Sequence, residues 1–394
     1  MIQITRLRDK LVIALVVALI ALGLRGKAVY ELPVDFDEPT YMLVTGLHYA
    51  DMVRAGNWQG IIHYDFNTEH PLFNKLVYSG ALLAQAPLPD VALYALQPPP
   101  PPDVMPQFYA LRLVSASFGV LAVGVLALIN PIAGMLLALH TFNITYTSQI
   151  MLEALPALTS AAAVIAYHQY HQSEQTGWGW LLLSSVALGL TAASKYMYAV
   201  AGIAIAVHWL GNLAAGWSKR TWPERARQAW PILAWGFGAL LVFFAVNPYL
   251  WHAPIGRLTG SLGFHSDFAQ SDLVQDMAFP VWQPFLWLTQ SVDRPPEIFF
   301  IRLDLLISII ALVGFPRLWR DYRVFALWLL LALGFLLLWP TKWAHYILIL
   351  TFPLCLSAGL GVATLGSWIG KQLGSSNTGQ AASVRTSSVG ESAD

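Results

Sequence analysis

Charged residues are scarce in this sequence: Asp, Glu, Lys and Arg together make up 11% of its 394 residues. A soluble globular domain carries about 25%, so most of the surface of this chain faces something other than water. The 22 basic and 22 acidic residues give a net charge of zero, which argues against nucleic acid as a partner. Because Cys355 is the only cysteine, no disulfide can form within the chain.

Apolar runs fill most of the remaining sequence and predict an all-α polytopic membrane protein. The sequence is 56% apolar, and its 16 Trp and 15 Tyr are typical of side chains at membrane–water boundaries. A bilayer requires about twenty residues per helix. We therefore predict about ten transmembrane helices, at 11–30, 107–129, 131–148, 151–168, 178–194, 196–214, 230–248, 301–316, 324–339 and 345–368.

The first apolar run, 11–24, is short for a spanning helix and follows several basic residues, so it also fits a cleaved signal peptide. No clean small-x-small cleavage site follows it, which favours a retained helix. If Arg25 and Lys27 snorkel to the membrane surface, that helix can extend to Tyr30.

The basic residues predict the orientation of the helices in the membrane. They concentrate in two short loops, which the positive-inside rule assigns to the cytoplasm: Lys219, Arg220, Arg225 and Arg227, then Arg317, Arg320 and Arg323. We expect one transmembrane domain of residues 1–370 in the plasma membrane, with both termini cytoplasmic. The loops 31–106 and 249–300 are then extracytoplasmic, and the Ser/Thr/Gly/Ala-rich tail 371–394 is disordered.

The first long loop opens with two adjacent carboxylates, Asp37 and Glu38, followed by Pro39 and Tyr41. Proline favours the start of a helix, so either acid can serve as a helix cap. A partly desolvated carboxylate can instead act as a general base. On a helix, Tyr41 shares a face with Asp37.

The same loop later carries Glu69, His70 and Lys75. A carboxylate and an imidazole together are potential ligands of a divalent metal ion, and a lysine is suited to a phosphate group. The spacing of Glu69 and Lys75 fits a structural ion pair equally well.

Four further polar residues fall on the same predicted side of the membrane. Glu153 begins a span, where it can cap the helix or belong to a site. Lys195 and Lys342 lie in short turns, where each can be a snorkelling anchor or bind a lipid phosphate. His265 lies in the second long loop, where it can simply be solvated. A transporter usually places polar groups near the bilayer midplane, but the predicted mid-span positions are almost wholly apolar.

The first loop resembles that of the GT-C membrane glycosyltransferases, and in particular the protein O-mannosyltransferases and the bacterial aminoarabinose transferases of lipid A. The resemblance rests on the strings DEPTY at 37–41, AGNW at 55–58 and EHPL at 69–72. Glu153 is similar to a second acidic residue of the family, and Lys195 and Lys342 to its later basic residues. Leu72 departs from the usual second proline, and Glu153 from the usual aspartate, which leaves the sugar and the acceptor open.

The resemblance implies a GT-C fold whose first extracytoplasmic loop carries short helices. It also implies an inverting transfer of a sugar from a polyprenyl-phosphate donor to an acceptor, which can be a protein, a lipid or a glycan. Asp37 is then the base. The remaining expected roles are catalysis for Glu38 and Glu153, donor-phosphate binding for Lys75, Lys195 and Lys342, substrate binding for Tyr41 and His265, and a possible divalent metal for Glu69 and His70. The alternative, from another class, is a lipid-carrier or solute transporter.

Overall fold

All the regular structure is helical in the computed structural model, which describes residues 7–87, 98–173, 176–215, 220–293, 299 and 301–387, with side chains as far as 372. This confirms the all-α class. Lys219 and the tail residues 388–394 lie outside the described residues. The α-helices are α1 Leu7–Glu31, α2 Val44–Arg54, α3 Trp58–His63, α4 Phe73–Leu82, α5 Met105–Ile129, α6 Pro131–Leu139, α7 Thr141–Ser148, α8 Ala154–Gln172, α9 Trp178–Ser194, α10 Val200–Ala214, α11 Trp222–Ala245, α12 Pro254–Ala269, α13 Asp272–Met277, α14 Gln283–Thr289, α15 Asp304–Asp321, α16 Arg323–Leu338 and α17 Leu348–Ser387.

Several of these helices can cross a membrane. Within the described residues, five helical segments are long and apolar enough: Leu7–Glu31, Pro102–Ile129, Tyr196–Ala214, Trp222–Ala245 and Ala344–Gln372. The apolar helices α9 and α16 are shorter. The chain is therefore a multi-pass membrane protein, while the expected number of ten spans stays a prediction. Two of the ten, α8 and α15, contain polar ends: HQYHQ closes α8, and α15 carries charges at both ends.

The predicted span 131–148 is interrupted at His140, which separates the nine residues of α6 from the eight of α7. Asp304 of α15 explains the break. Its carboxylate accepts hydrogen bonds from the backbone N–H of Thr141 and from the Thr141 hydroxyl, both at 2.9 Å, and lies 3.0 Å from Nδ1 of His140. A carboxylate at the first turn of α7 satisfies a helix-terminal N–H that would otherwise be unpaired.

Arg25 of α1 is fully buried, so the prediction that it snorkels to the surface is wrong. Its Nε donates to the Thr147 hydroxyl at 3.0 Å, and Nη2 donates to the side-chain oxygen of Asn143 at 2.5 Å, both on α7. Asn143 in turn donates to Thr351 of α17 at 3.2 Å. A buried polar group needs partners inside the protein, and α7 provides acceptors for Nε and Nη2 of Arg25, while Nη1 is buried without a partner among the described residues.

Short helices of the first loop pack on one end of the bundle. Between α1 and α2, residues Glu38–Leu43 form a π-helical turn, and α2 and α4 bury a small apolar core that includes Leu47, Tyr78 and Leu82. Leu111 of α5 and Ile150, which follows α7, close this core. This packing holds the predicted acidic loop against the ends of α5 and α7.

The last helix continues to Ser387 and so reaches into the segment 371–394 for which the composition predicts disorder. Its apolar part belongs to the candidate span Ala344–Gln372, whose most apolar 18-residue stretch is 83% buried in the bundle. A helix held so firmly over its apolar part can continue beyond it, since each further residue adds one backbone hydrogen bond at little extra cost. The domain boundaries remain a prediction.

Close packing of α15 on α17 depends on Gly314. A Cβ atom at this position would lie 1.8 Å from the Ser357 carbonyl oxygen and 2.6 Å from the Gly361 nitrogen. Small residues allow such close contact between membrane helices. We predict that Gly314→Ala destabilises the protein by about 1–3 kcal/mol through overpacking, measured as a lower thermal midpoint in detergent.

Gly334→Ala on α16 is the matched control, because a Cβ there has no neighbour within 4 Å. Equal thermal midpoints for the two variants would contradict this account of the α15–α17 contact.

Candidate active site

Glu38 and Arg112 form a buried ion pair where the first loop meets the bundle. The two residues are 0% and 1% exposed. Arg112 holds the carboxylate with two hydrogen bonds, from Nε to Oε1 at 2.8 Å and from Nη2 to Oε2 at 2.6 Å. Bidentate geometry of this kind gives strong and specific pairing.

The surroundings of this pair use its remaining hydrogen-bonding capacity. Glu38 also accepts from the backbone N–H groups of Asp35 at 2.9 Å and Ile150 at 2.7 Å. Arg112 donates to three carbonyl oxygens at the end of α1, those of Val29, Leu32 and Pro33. With four bonds on its carboxylate, Glu38 is saturated, which favours a positioning role over the catalytic one that the sequence predicts.

Asp37, the neighbouring acid, is placed differently. It occupies the N-cap position of the π-helical turn, yet its side chain makes no cap hydrogen bond. Its backbone N–H donates to Asp35 at 3.1 Å, and its half-buried carboxylate makes no hydrogen bond within the described part of the chain. The capping interpretation therefore does not explain Asp37.

The charges around Asp37 tune its acidity. The pKa of Asp37 is raised to about 6, first by burial and then by the carboxylate of Asp35; Glu153 and Glu69 also raise it, while Lys195 lowers it. Charges shift a pKa in this way when they lie close to the titrating group. The structure thus brings Asp37, Glu69, Glu153 and Lys195 together, as the sequence predicts, and we call this set the acidic cluster.

Glu153 and Lys195 form a second buried ion pair inside the acidic cluster. The carboxylate of Glu153 contacts the ammonium group of Lys195, and His345 Nε2 lies 3.6 Å from the same oxygen. The ammonium also lies 5.0 Å from the centre of the Tyr346 ring. Although Glu153 precedes α8, it makes no cap hydrogen bond. Neither residue is a helix cap or a surface anchor.

The turn that carries Glu69 and His70 wraps around Lys75. The buried ammonium of Lys75 donates to the carbonyl oxygens of Asn67 and His70, and burial lowers its pKa to about 7. Glu69 accepts from the Asn67 side chain at 2.7 Å rather than from Lys75. Burial, together with the charges of Lys195 and Lys75, holds the pKa of His70 well below its usual range, so His70 is neutral.

Helix α12 of the second long loop docks on this turn. The Ser261 hydroxyl donates to the Thr68 and Glu69 carbonyl oxygens at 2.8 and 2.9 Å. His265 Nε2 lies 3.1 Å from the Glu69 carbonyl oxygen, and its ring lies 5.5 Å from that of His70. His265 is therefore packed on this turn and is not simply solvated. The two long loops meet at the acidic cluster.

Of two further residues predicted for the site, Tyr41 lies beside the acidic cluster and Lys342 is bound to the end of α16. Tyr41 lies beside the cluster: burial first, then the charges of Asp37 and Glu69, raise its pKa. Lys342 instead donates to the carbonyl oxygens of Leu336, Leu337 and Trp339 at the C-terminal end of α16. All three ammonium protons are used there, which favours helix capping over phosphate binding.

The described residues do not by themselves make a metal site. Within the described residues, no group of three or more His, Cys, Asp or Glu side chains is arranged to hold a metal ion. A divalent ion at Glu69 and His70 would need substrate or water for its other ligands. The metal hypothesis stays a prediction.

Sequence reasoning missed three residues that shape the site: Arg112, His345 and Tyr346. Arg112 lies 74 positions from Glu38, and no spacing rule connects residues so far apart. His345 and Tyr346 follow the turn at Lys342. Their position at the predicted outer end of a span was the one feature of the sequence that could have indicated a place in the site.

The helical bundle with the acidic cluster at one end fits the class that the sequence resembles, the multi-pass GT-C membrane glycosyltransferases. The sequence matches the model of a family described as dolichyl-phosphate-mannose-protein mannosyltransferase over residues 47–253. The chain belongs to this family. The matched segment contains Glu69, His70, Lys75, Glu153 and Lys195, and begins after Asp37. A comparison with curated protein sequences found no match.

Among solved structures, ArnT from Cupriavidus metallidurans has a similar fold. The apo state has a TM-score of 0.58 at 16% identity and covers 96% of this chain. The state bound to undecaprenyl phosphate has a TM-score of 0.54 at 17% identity and covers 98%. This chain spans 65% of the ArnT chain. The S. cerevisiae protein O-mannosyltransferase Pmt1-Pmt2 complex bound to the sugar donor has a TM-score of 0.40 at 20% identity, covering 63% of this chain and 33% of its own.

The Glu38–Arg112 pair makes a stability prediction. Glu38→Gln leaves Arg112 as a buried cation without a counter-charge, which typically costs about 3–5 kcal/mol. We expect a correspondingly lower thermal midpoint in detergent. Asp51→Asn is the control, since Asp51 forms a more exposed pair with Arg54 at 2.7 Å, and such pairs contribute about 1 kcal/mol or less. If both variants melt like the unaltered protein, the pair does not hold the first loop.

Proposed function

We propose that this protein transfers a sugar from a polyprenyl-phosphate donor to an acceptor, with Asp37 as the general base. The observation that carries the proposal is the state of Asp37: a half-buried carboxylate without a hydrogen-bond partner in the described part of the chain, with a pKa of about 6. A base of this kind is largely ionised at neutral pH and still able to accept a proton.

The reaction is a single displacement at the anomeric carbon. The acceptor hydroxyl or amine loses its proton to Asp37 as its oxygen or nitrogen forms the new bond to the sugar. The bond between the anomeric carbon and the phosphate oxygen breaks, and the lipid phosphate leaves with that electron pair. Attack opposite the leaving group inverts the anomeric configuration.

Lys195 and Lys75 are the cations best placed for the leaving phosphate. Lys195 acts electrostatically on both Asp37 and His70, and Lys75 acts on His70, so Lys75 lies beside the acidic cluster to which Lys195 belongs. Preorganised cations stabilise the charge that develops on a leaving group. Tyr41 and His265 flank the same space and are proposed substrate contacts.

Two comparisons support a lipid-linked donor. The family to which the chain belongs is described by a dolichyl-phosphate-linked sugar, and a structure of similar fold holds undecaprenyl phosphate. The positions of the basic residues support an extracytoplasmic site with both termini in the cytoplasm, since Arg220, Arg227 and Arg317 lie at the end of the bundle opposite the acidic cluster.

One observation favours the alternative of a transporter. The break between α6 and α7, with Arg25 buried against α7, is the kind of interrupted helix with a buried charge that transporters use. Transport moves a labelled lipid or solute without releasing polyprenyl phosphate, so measuring both the transferred sugar and the released lipid phosphate distinguishes the two functions.

We predict that Asp37→Asn lowers the transfer rate by about 100-fold to 10,000-fold, the usual contribution of a general base. The assay uses membranes, a panel of radiolabelled polyprenyl-phosphate sugars and equal amounts of expressed protein. Asp65→Asn, an exposed acid of the same loop, is the control and should retain full activity. Full activity of Asp37→Asn would reject Asp37 as the base.

The pH dependence tests the neighbours of Asp37. Because the base must be deprotonated, kcat/KM should rise as the pH increases through about 6, the pKa of Asp37. Glu153→Gln removes a negative charge that raises this pKa, so its acid limb should move to lower pH. Lys195→Met removes a positive charge that lowers it, so its limb should move to higher pH. Shifts in the same direction, or no shift, would refute this electrostatic coupling.

A further inference from the structure

A cavity of about 460 Å³ lies at the end of the bundle opposite the acidic cluster. It is lined by Tyr170 near the end of α8, Trp178 at the start of α9, and the first turns of α11. Its volume falls within the range of about 300–1,000 Å³ that is usual for small-ligand sites. Neither the acidic cluster nor the proposed transfer reaction uses it.

The cavity lies at the level of a membrane surface. On helix α8, Tyr170 of the cavity lies 17 positions after Glu153, a length of about 26 Å at 1.5 Å per residue. The hydrocarbon core of a bilayer is about 30 Å thick. Trp178, Trp222 and Trp230 are more than half exposed at this end, as expected of an aromatic belt at the lipid–water boundary. The cavity therefore faces the leaflet opposite the acidic cluster.

Two opposite charges line the cavity from one face of α11. Glu224 and Arg227 are three residues apart, and Gln228 is four from Glu224, so all three share that face. Glu224 Oε2 accepts the backbone N–H of Thr221 at 2.8 Å as part of a capping box. Within the described residues, Arg227 forms no ion pair with Glu224 or with another carboxylate. The cavity thus presents a separate cation and anion.

A buried hydroxyl adds an independent sign of a ligand. Tyr170 lines the cavity and is 1% exposed, and its hydroxyl has no hydrogen-bond partner within the described part of the chain. A buried polar atom without a partner costs about 1–3 kcal/mol. A ligand oxygen in the cavity would remove that cost.

We propose that this cavity binds the zwitterionic headgroup of a phospholipid with a primary ammonium group, in the leaflet opposite the acidic cluster. Arg227 binds the phosphate, with Gln228 and the Tyr170 hydroxyl as further donors, and Glu224 accepts hydrogen bonds from the ammonium group. A quaternary ammonium has no N–H to donate, and a purely anionic headgroup would face Glu224. The pairing of charges therefore selects a phosphoethanolamine headgroup over both.

The test uses the full chain in nanodiscs of phosphatidylcholine that contain a minor fraction of phosphatidylethanolamine or phosphatidylglycerol. Bound lipid is counted by native mass spectrometry. We expect phosphatidylethanolamine to be retained preferentially, and Arg227→Gln to weaken its retention about tenfold, as expected for loss of a charge-assisted hydrogen bond. Tyr170→Phe should weaken it less, without lowering the thermal midpoint in pure phosphatidylcholine.

Glu224→Gln is the sharpest variant, because glutamine preserves a capping box while removing the charge. It should abolish the preference for phosphatidylethanolamine over phosphatidylcholine and leave the fold intact. Arg225→Gln, on the same helix but not lining the cavity, is the control and should retain the preference. Soluble glycerophosphoethanolamine, added to phosphatidylcholine nanodiscs, separates a lipid site from a site for the free headgroup.

Three results would overturn the proposal. The first is equal retention of phosphatidylcholine or phosphatidylglycerol by the unaltered protein. The second is an unchanged lipid preference in Glu224→Gln. The third is binding of soluble glycerophosphoethanolamine as tight as that of the lipid, which would make the site one for a soluble ligand.

Discussion

The ion pair between Glu38 and Arg112 is the interaction on which the geometry of the acidic cluster depends. Through its hydrogen bonds, this pair joins the end of α1, the start of the first loop, the middle of the chain at Ile150, and α5. Because a buried charge without its partner is costly, none of these segments can move away alone. The loop before Glu38 and the turn leading to Glu153 are held in one place as a result.

This constraint separates the functions of two adjacent acids. The carboxylate of Glu38 accepts four hydrogen bonds, and these fix the backbone of the neighbouring Asp37. The carboxylate of Asp37 itself makes no hydrogen bond within the described residues. The second ion pair, Glu153 with Lys195, then acts on Asp37 through its charges rather than by contact. Structural and chemical demands are thus met by different residues only one position apart.

Composition and hydrophobic runs were enough to predict the helical membrane fold, and the alternation of loops placed Asp37, Glu69, His265, Glu153 and Lys195 at one end of the bundle. The unforeseen break at His140 and the wrong expectation for Arg25 have a common physical cause, which is partners far away in sequence. Asp304 interrupts a span at His140, and α7 provides acceptors that keep Arg25 buried. No local sequence pattern predicts such long-range contacts. Lys342 differs, because the carbonyl groups that accept from it are only three to six residues away, at the end of α16.

The most direct test of the account compares transfer by Asp37→Asn and Glu38→Gln across a range of temperatures in the same membranes. If Glu38 positions and Asp37 reacts, Glu38→Gln should regain activity on cooling, as the destabilised first loop refolds, while Asp37→Asn stays inactive at every temperature. Recovery of Asp37→Asn on cooling, or a Glu38→Gln protein that is folded but inactive, would contradict the division between the two acids.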